Sequence, residues 1–244
     1  MNQSVGTQDR QTVEALNRRF AKAEPQEILQ WALTALHPHV ALASSFGAED
    51  VALIDMMVKI RPDARVVTLD TGRLPQETYE VIDAIREKYG VIIEAFFPQA
   101  DQVESFVRRE GVNAFYRSIE LRKACCQVRK VEPLGRALTG LKGWITGLRR
   151  DQAVTRGAVQ TVEWDADHGG LYKINPLAAW SSDQVWAYLK AHGVPYNVLH
   201  DRGYPSLGCA PCTRAVKPGE DPRAGRWWWE QPEQKECGLH RSAA

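Results

Sequence analysis

The sequence lacks long apolar runs and a surplus of charge of either sign. None of its 244 residues lies in an apolar stretch near the ~20 residues that a membrane helix needs. The first twenty residues (MNQSVGTQDRQTVEALNRRF) are polar, without the apolar core of a secretion signal. With 31 Lys and Arg against 30 Asp and Glu, the formal net charge of +1 gives no general attraction for nucleic acid or anionic lipid. We therefore expect a cytoplasmic protein that binds neither nucleic acid nor membrane, with any anion site built locally.

Cysteine is scarce, and its five positions are grouped. Cys125 and Cys126 are adjacent, Cys209 and Cys212 form a C-x-x-C, and Cys237 stands near the end of the sequence. Because cytoplasmic thiols stay reduced, close groups of cysteine indicate metal binding or catalysis rather than disulfides. The pattern of four plus one predicts a four-thiolate metal site and one reactive thiol.

The kind of metal site is not decided by spacing alone. Tetrahedral zinc is satisfied by four thiolates, and a C-x-x-C suits it. Adjacent cysteines on a helix point about 100° apart, which favours an iron–sulfur cubane because a cubane is wider than a single ion. The alternative of two buried free thiols beside a redox C-x-x-C requires two separate chemistries to coincide.

Hydrophobic periodicity alternates between strands and helices over most of the chain. The predicted strands are 39–45, 65–69, 91–97, 144–147, 159–163 and 171–174. The predicted helices are 8–36 with a break at Pro25, 49–60, 75–89, 121–138 and 182–192. Strands and helices that alternate through short loops predict an α/β fold with a doubly wound, mostly parallel sheet.

Composition divides the chain into three parts. Residues 1–36 form a helical segment, residues 37–200 carry the α/β pattern, and residues 201–244 are rich in Pro, Gly, Arg and Trp without periodicity. Trp227, Trp228 and Trp229 are consecutive, and three tryptophans are costly to leave in water. The tryptophans are therefore expected to pack on something, and the composition of the tail predicts that it is ordered by a ligand or a cofactor.

The turn after the first predicted strand has the composition of an anion-binding loop. Residues 44–50 (SSFGAED) lead from a strand into a helix, where backbone N–H groups can receive a phosphate. The loop lacks the Gly-Lys-Ser/Thr ending of a Walker A motif. Taken alone, a plain connection capped by Ser45 or Glu49 is the better interpretation.

Two further segments suggest ligand contacts. Residues 69–73 (LDTGR) end the second strand, where open α/β sheets bind nucleotides, although a polar turn with Gly72 at positive φ explains them equally well. Arginines cluster at 149, 150 and 156 and again at 223 and 226, and guanidinium groups bind phosphate or sulfate through paired donors. A solvated charged surface is the alternative, and it fits Arg226 poorly because that residue adjoins the tryptophans.

The lone Cys237 lies between Lys235 and His240. Positive neighbours favour the thiolate, which is the nucleophilic form, and the adjacent Gly238 permits close approach. An incidental terminal thiol remains the alternative for this residue considered alone.

Taken together, four segments closely resemble the assimilatory adenylyl-sulfate reductases of bacteria, a group within the phosphoadenylyl-sulfate reductase family. They are residues 125–126 (CC), 208–214 (GCAPCTR), 225–230 (GRWWWE) and 235–240 (KECGLH). The likeness extends from about residue 40 to residue 240. It implies an adenine nucleotide α-hydrolase-like fold, with 37–200 as the sulfonucleotide-binding domain and 201–244 as a cluster-binding, catalytic tail.

The resemblance also implies an activity: thioredoxin-dependent reduction of adenosine 5′-phosphosulfate to sulfite and AMP, in sulfate assimilation and cysteine biosynthesis. Cys237 would be the nucleophile and carry an S-sulfonate, thioredoxin or a glutaredoxin-like protein would be the reductant, and the chain would form a homo-oligomer. A [4Fe–4S] cluster would be bound by Cys125, Cys126, Cys209 and Cys212.

The substrate contacts that the resemblance implies are Ser44, Ser45, Phe46, Gly47, Glu49, Leu69, Thr71, Gly72, Lys130, Arg150, Arg156, Arg223, Arg226 and His240. The loop departs from its ATP-hydrolysing relatives because it lacks their second glycine and serine, which agrees with a nucleotide bound without cleavage between its phosphates. The alternatives are a reductase of the 3′-phosphorylated nucleotide, a nucleotide-binding iron–sulfur or zinc sensor, and an adenylyltransferase on the same fold.

Overall fold

A six-stranded sheet forms the centre of the computed structural model, which describes residues 3–153, 156–231, 235 and 238–239. The strands are β1 Val40–Ser44, β2 Arg65–Leu69, β3 Ile93–Phe96, β4 Gly143–Ile145, β5 Val162–Asp165 and β6 Leu171–Ile174. Their order is β3-β2-β1-β4-β6-β5, and every pair is parallel except the antiparallel pair of β5 and β6. The predicted mostly parallel α/β sheet is therefore confirmed.

Eight α-helices are present in the described part of the chain. They are α1 Gln3–Arg19, α2 Pro25–Ala35, α3 Ala48–Ile60, α4 Gln76–Tyr89, α5 Ala100–Glu110, α6 Ile119–Cys126, α7 Glu132–Leu138 and α8 Ser182–His192. Helix α8 begins after Ser181, whose hydroxyl caps the helix by accepting a hydrogen bond from Gln184 N at 3.2 Å.

Both faces of the sheet are buried. Successive residues of a strand face opposite sides, so Leu42 and Val66 pack with the apolar faces of α2, α3, α4 and α8. Ala41 and Val67 pack on the other side with Leu134 of α7. Two covered faces explain why the parallel strands read as nearly continuous apolar runs.

The helices differ from the predicted pattern in two places. The predicted helix 121–138 is interrupted, because a π-helical turn, Gln127–Val131, separates α6 from α7. Helix α5 was not predicted, and it buries few side chains, since Phe106 is its single buried residue. No helix in the described ranges has both the length and the apolar character needed to cross a bilayer.

Candidate active site

A cavity of about 440 Å³ opens at the carboxyl ends of β1, β2 and β4. The chain adds β2 and β3 on one side of β1 and then places β4 on its other side. Ligands of open α/β sheets bind at such a reversal of strand order. Ten of the substrate contacts implied by the sequence line this cavity: Ser44, Ser45, Gly47, Glu49, Leu69, Thr71, Lys130, Arg156, Arg223 and Arg226. Residues separated by up to 182 positions in the chain thus face one space.

The loop after β1 is held in shape by its own side chains. Asp50 accepts hydrogen bonds from Ser45 through the backbone N–H at 2.6 Å and the hydroxyl at 2.8 Å. Burial raises the pKa of Asp50 to about 6, although these hydrogen bonds act to lower it. Phe46 has a left-handed φ of 58° and a fully buried ring in the main core. It anchors the loop and does not line the cavity, which differs from its predicted role as a substrate contact.

Arg149, and not Arg150, faces the cavity. Arg149 is buried, and its Nε donates to Glu49 Oε1 at 2.9 Å, while Asp151 contacts its other side. The Arg150 guanidinium instead donates to the Val159 carbonyl at 2.8 Å. Adjacent arginines cannot be distinguished from sequence, because the choice depends on the partner from α3, 100 residues away.

The two predicted contact residues after β2, Thr71 and Gly72, lie in different places. Thr71 lines the cavity, and its Oγ1 lies 3.3 Å from Cys209 Sγ. Gly72 does not line the cavity; it has φ of +67°, and its N–H donates to Asp70 Oδ1 at 2.8 Å. For Gly72 the structure therefore shows the polar turn that the sequence left open.

A buried aromatic ring fixes the tail to the body of the protein. Trp227 is 1% exposed, and two guanidinium groups stack on its ring, Arg122 at 4.8 Å and Arg226 at 4.7 Å from the ring centroid. Arg122 also forms two hydrogen bonds with Glu230, at 2.9 and 2.6 Å. The expectation that the tryptophans pack on something is confirmed for Trp227, and the stack places Arg226 in the cavity. We call these four residues, Arg122, Arg226, Trp227 and Glu230, the tryptophan stack.

Arg226 retains donor capacity toward the cavity. Its Nη1 lies 3.3 Å from Ser206 Oγ and donates to the Leu207 carbonyl. Its Nε is buried without a hydrogen-bond partner among the described residues. A buried donor without a partner is costly, so Nε is suited to bind an anionic ligand.

The four paired cysteines line a second, smaller cavity. Cys125, Cys126, Cys209 and Cys212 are free thiols around this space. The same space is lined by four cationic side chains, Arg73, Arg122, Arg129 and Lys130. No group of three or more His, Cys, Asp or Glu within the described ranges has the arrangement of a metal-ion site. The donor chemistry, four thiols surrounded by cations, nevertheless fits a thiolate-bound group of net negative charge.

The thiols differ in how readily they ionise. Burial raises the pKa of Cys125, and it raises the pKa of Cys212 to about 12. Burial also acts to raise the pKa of Cys209, but Lys130, the Thr71 hydroxyl and Arg226 outweigh it, and the pKa of Cys209 is lowered. The neighbouring cations act on Cys125, Cys209 and Cys212, but only at Cys209 do the favourable interactions outweigh the effect of burial.

Lys130 and Trp227 line both cavities. Lys130 belongs to the π-helical turn that follows the Cys125–Cys126 pair, and such turns occur frequently at functional sites. The thiol pocket and the large cavity are thus parts of one site.

The end of the tail returns to this site. Cys237 and His240 lie outside the described residues, so their predicted roles stay predictions. Leu239 lines the large cavity, and the Lys235 carbonyl accepts a hydrogen bond from Arg223 Nη2 at 2.7 Å.

Trp186 and His200 also line the cavity, although no role was expected for them from the sequence. Trp186 and His200 belong to no short motif, and a periodicity argument assigns Trp186 simply to the face of α8. Their position at the site follows from the folding of the segment 182–208 over the cavity.

The fold and the site define a nucleotide-binding α/β protein with a thiol pocket beside its ligand cavity. Residues 39–215 match the phosphoadenosine phosphosulfate reductase domain, and the chain belongs to that family. The resemblance seen in the sequence is thereby confirmed.

Several relatives carry a more specific name. The adenosine 5′-phosphosulfate reductase of Allochromatium vinosum is 55% identical over 202 residues, which cover 83% of this chain and 78% of that protein. The enzyme of that name from Burkholderia cepacia is 52% identical, over 90% of this chain and 88% of that protein.

Solved structures agree on the fold. A phosphoadenylyl-sulfate reductase from Candida auris, in a phosphate complex, superposes with a TM-score of 0.71 at 28% identity and covers 84% of this chain and 96% of that one. The FMN adenylyltransferase of Candida glabrata has a TM-score of 0.54 at 14% identity, covering 85% of this chain and 69% of that one, and shares the fold alone.

Gly208→Ala should weaken anion binding through Arg226. An added Cβ at Gly208 would lie 2.3 Å from Arg226 Nη2, so the guanidinium must leave its place. We expect the affinity for AMP, measured by calorimetry, to fall about tenfold, the effect of losing one charge-assisted contact. Gly135→Ala is the matched control, because nothing lies within 4 Å of its added Cβ. An unchanged AMP affinity in Gly208→Ala would show that Arg226 does not hold the anion.

Proposed function

We propose that this protein reduces adenosine 5′-phosphosulfate to sulfite and AMP in assimilatory sulfate reduction. The main support is that the loop after β1 and the cations Lys130, Arg223 and Arg226 line the same large cavity, which adjoins the thiol pocket. Relatives that are 45–55% identical over most of the chain bear the name of this activity.

Binding follows from the placement of charge. The three cations Lys130, Arg223 and Arg226 would hold the phosphate and sulfate groups through charge-assisted hydrogen bonds. The loop 44–49 and the β2 end at Leu69 and Thr71 would hold the adenosine. Within this loop, the Glu49 carboxylate accepts a hydrogen bond from Arg149 Nε at 2.9 Å, which compensates its charge.

The chemical step is a displacement at sulfur by Cys237. Its thiolate attacks the sulfate sulfur, an S–S bond forms, the bond from sulfur to the bridging oxygen breaks, and AMP leaves with that oxygen. Positive charge from Arg223, Arg226 and Lys130 would stabilise the negative charge that grows on the leaving phosphate, which is the electrostatic contribution that commonly dominates catalysis. Cys237 is left as an S-sulfonate.

Sulfite release needs two electrons, which a dithiol such as thioredoxin supplies. One thiolate of the reductant attacks the Cys237 sulfur and expels sulfite, and its second thiol resolves the mixed disulfide. The products are sulfite, oxidised reductant and the free Cys237 thiol. We further propose that this takes place in the cytoplasm, where such reductants are kept reduced, and that the chain acts as a homo-oligomer.

We propose a [4Fe–4S] cluster for the thiol pocket, held by Cys125, Cys126, Cys209 and Cys212. When bound, the cluster would cross-link α6 to the tail and place its charge beside Lys130. The chain's own contribution is the surrounding set of Arg73, Arg122, Arg129 and Lys130, which compensates four thiolates. Lys130 would orient toward both the thiolates and the substrate.

Reduction of the 3′-phosphorylated nucleotide is the second candidate, because the Candida auris structure of 28% identity has that name. A 3′-phosphate would bring two further negative charges to the adenosine part of the cavity. There the carboxylates of Glu49 and Asp50 line the wall, and Arg149 is already engaged by Glu49 and Asp151. This balance of charge favours the nucleotide without the 3′-phosphate.

Protein purified without oxygen should be brown and carry about four irons and four sulfides per chain, as expected for a cubane with four cysteine ligands. Metal analysis, sulfide analysis and the visible absorption spectrum measure this directly. Zinc at full occupancy in active protein, with no iron, would rule the cluster out.

Sulfite release should be much faster with adenosine 5′-phosphosulfate than with its 3′-phosphorylated form. A ratio of kcat/KM of about a hundred or more is expected from the unfavourable charge at Glu49 and Asp50. The sulfate group of each nucleotide is labelled, and the labelled sulfite released is measured with reduced thioredoxin as the reductant. Equal or reversed ratios would assign the protein to the second candidate.

Cys237→Ser should bind AMP as the wild type does and retain its metal but form no sulfite. Wild-type protein given substrate without reductant should gain one sulfonate, about 80 Da, on Cys237 alone, since the S-sulfonate needs a thiol to release it. Intact-mass and peptide mass spectrometry detect the adduct. An active Cys237→Ser protein, or a sulfonate on Cys209 or Cys212, would show that the nucleophile is another cysteine.

A further inference from the structure

We infer that His200 binds the nucleoside part of the ligand through its two ring nitrogens. The inference rests on the proposed function, because it assumes that an adenine nucleotide occupies the large cavity. It adds a binding residue that neither the short motifs nor the resemblance assigns.

The first observation is that the ring of His200 is inside the site without partners. His200 lines the large cavity, and both Nδ1 and Nε2 are buried without a hydrogen-bond partner in the described part of the chain. Buried polar atoms in folded proteins nearly always have partners, and an exception requires an explanation, such as a catalytic role or a bound group that completes the bonding. A histidine that served the fold alone would be expected to bond to the fold.

The second observation is the charge around the ring. Burial lowers the pKa of His200, although the charges of Glu49 and Asp201 and a weak hydrogen bond with the Tyr204 backbone each act to raise it. The imidazole is therefore neutral near pH 7, with one N–H donor and one acceptor. The charges that act on the ring are the carboxylates of Glu49 and Asp201. A neutral donor–acceptor pair beside carboxylates matches a ribose hydroxyl or the edge of a base, not a phosphate or sulfate.

The third observation is that the ring is held in place by its neighbours. His200 lies in the 3₁₀ helix Val198–Arg202, whose cap Asn197 is 1% exposed, accepts from Leu199 N at 3.0 Å and donates to Thr78 Oγ1 at 3.2 Å. Trp186 packs edge-on against the ring, with centroids 5.2 Å apart and planes at 81°. The two aromatic rings form one wall of the cavity, and a wall fixed before binding needs little ordering when the ligand arrives.

The test separates ligand binding from stability. His200→Leu removes both ring nitrogens at similar volume, so the ligand-free protein should keep its Tm, because no hydrogen bond of good geometry is lost. Its affinity for AMP and for adenosine, both measured by calorimetry on the metal-loaded protein, should fall by the same factor of about ten, because the two ligands share the nucleoside part. A Tm lowered by loss of the weak Tyr204 contact would leave this comparison of affinities unaffected. His200→Gln, which restores a donor and an acceptor, should recover part of that loss.

The control is His192→Leu, at an exposed histidine of α8 whose ring contacts Lys59 at 3.4 Å outside the cavity. It should leave both affinities unchanged. Unchanged AMP affinity in His200→Leu would overturn the inference, and so would a loss for AMP without a loss for adenosine, because that pattern places the ring at the phosphate. A Tm that falls in His200→Leu while affinity holds would show a purely structural histidine. Wild-type protein that binds AMP but makes no sulfite would refute the proposed function and leave the role of His200 standing.

Discussion

The tryptophan stack is the interaction on which the rest of the site depends. It is the point where the tail joins the α/β body, since Arg122 belongs to α6 and the other three residues to the tail. Breaking a buried ion pair such as that of Arg122 and Glu230 costs about 3–5 kcal/mol, and a desolvated cation–π contact contributes about 2 kcal/mol. The stack therefore holds Arg226 over the cavity and, through Cys212 and Trp227, which are joined by a backbone hydrogen bond of 3.1 Å, positions the C-x-x-C as well.

The two cavities share their walls for a structural reason. The Cys125–Cys126 pair ends α6, the π-helical turn follows at once, and Lys130 in that turn reaches the boundary between thiols and ligand. Thr71 makes the same connection from the end of β2, because its hydroxyl lies 3.3 Å from Cys209 Sγ while the residue lines the ligand cavity. A single side chain, that of Lys130 or Thr71, therefore separates the thiol pocket from the ligand cavity.

Electrostatics in this protein are local. The chain has a net charge of +1, yet Arg73, Arg122, Arg129 and Lys130 surround the thiol pocket and Arg156, Arg223 and Arg226 line the ligand cavity. Carboxylates line the same cavity where Glu49 and Asp50 begin α3. In the proposed function, the cations near the thiol pocket would draw the anionic end of the nucleotide toward the thiols.

Local patterns in the sequence determined the elements that bury a regular apolar face. Strand β2 and helix α8 have the predicted bounds. The paired cysteines and the tail motifs carried the resemblance that identified the family, because each motif is a short run of neighbouring residues that can be read without the fold. Tertiary structure decided that Arg149, and not its neighbour Arg150, faces the cavity. It also decided that Phe46 and Gly72 shape their loops. Only the fold shows that Trp186 and His200 belong to the site. The division has a physical reason: a periodic pattern records the burial of a face within one element, whereas the direction of a single side chain depends on partners that are about 100 residues distant, such as Glu49 for Arg149 and Glu230 for Arg122.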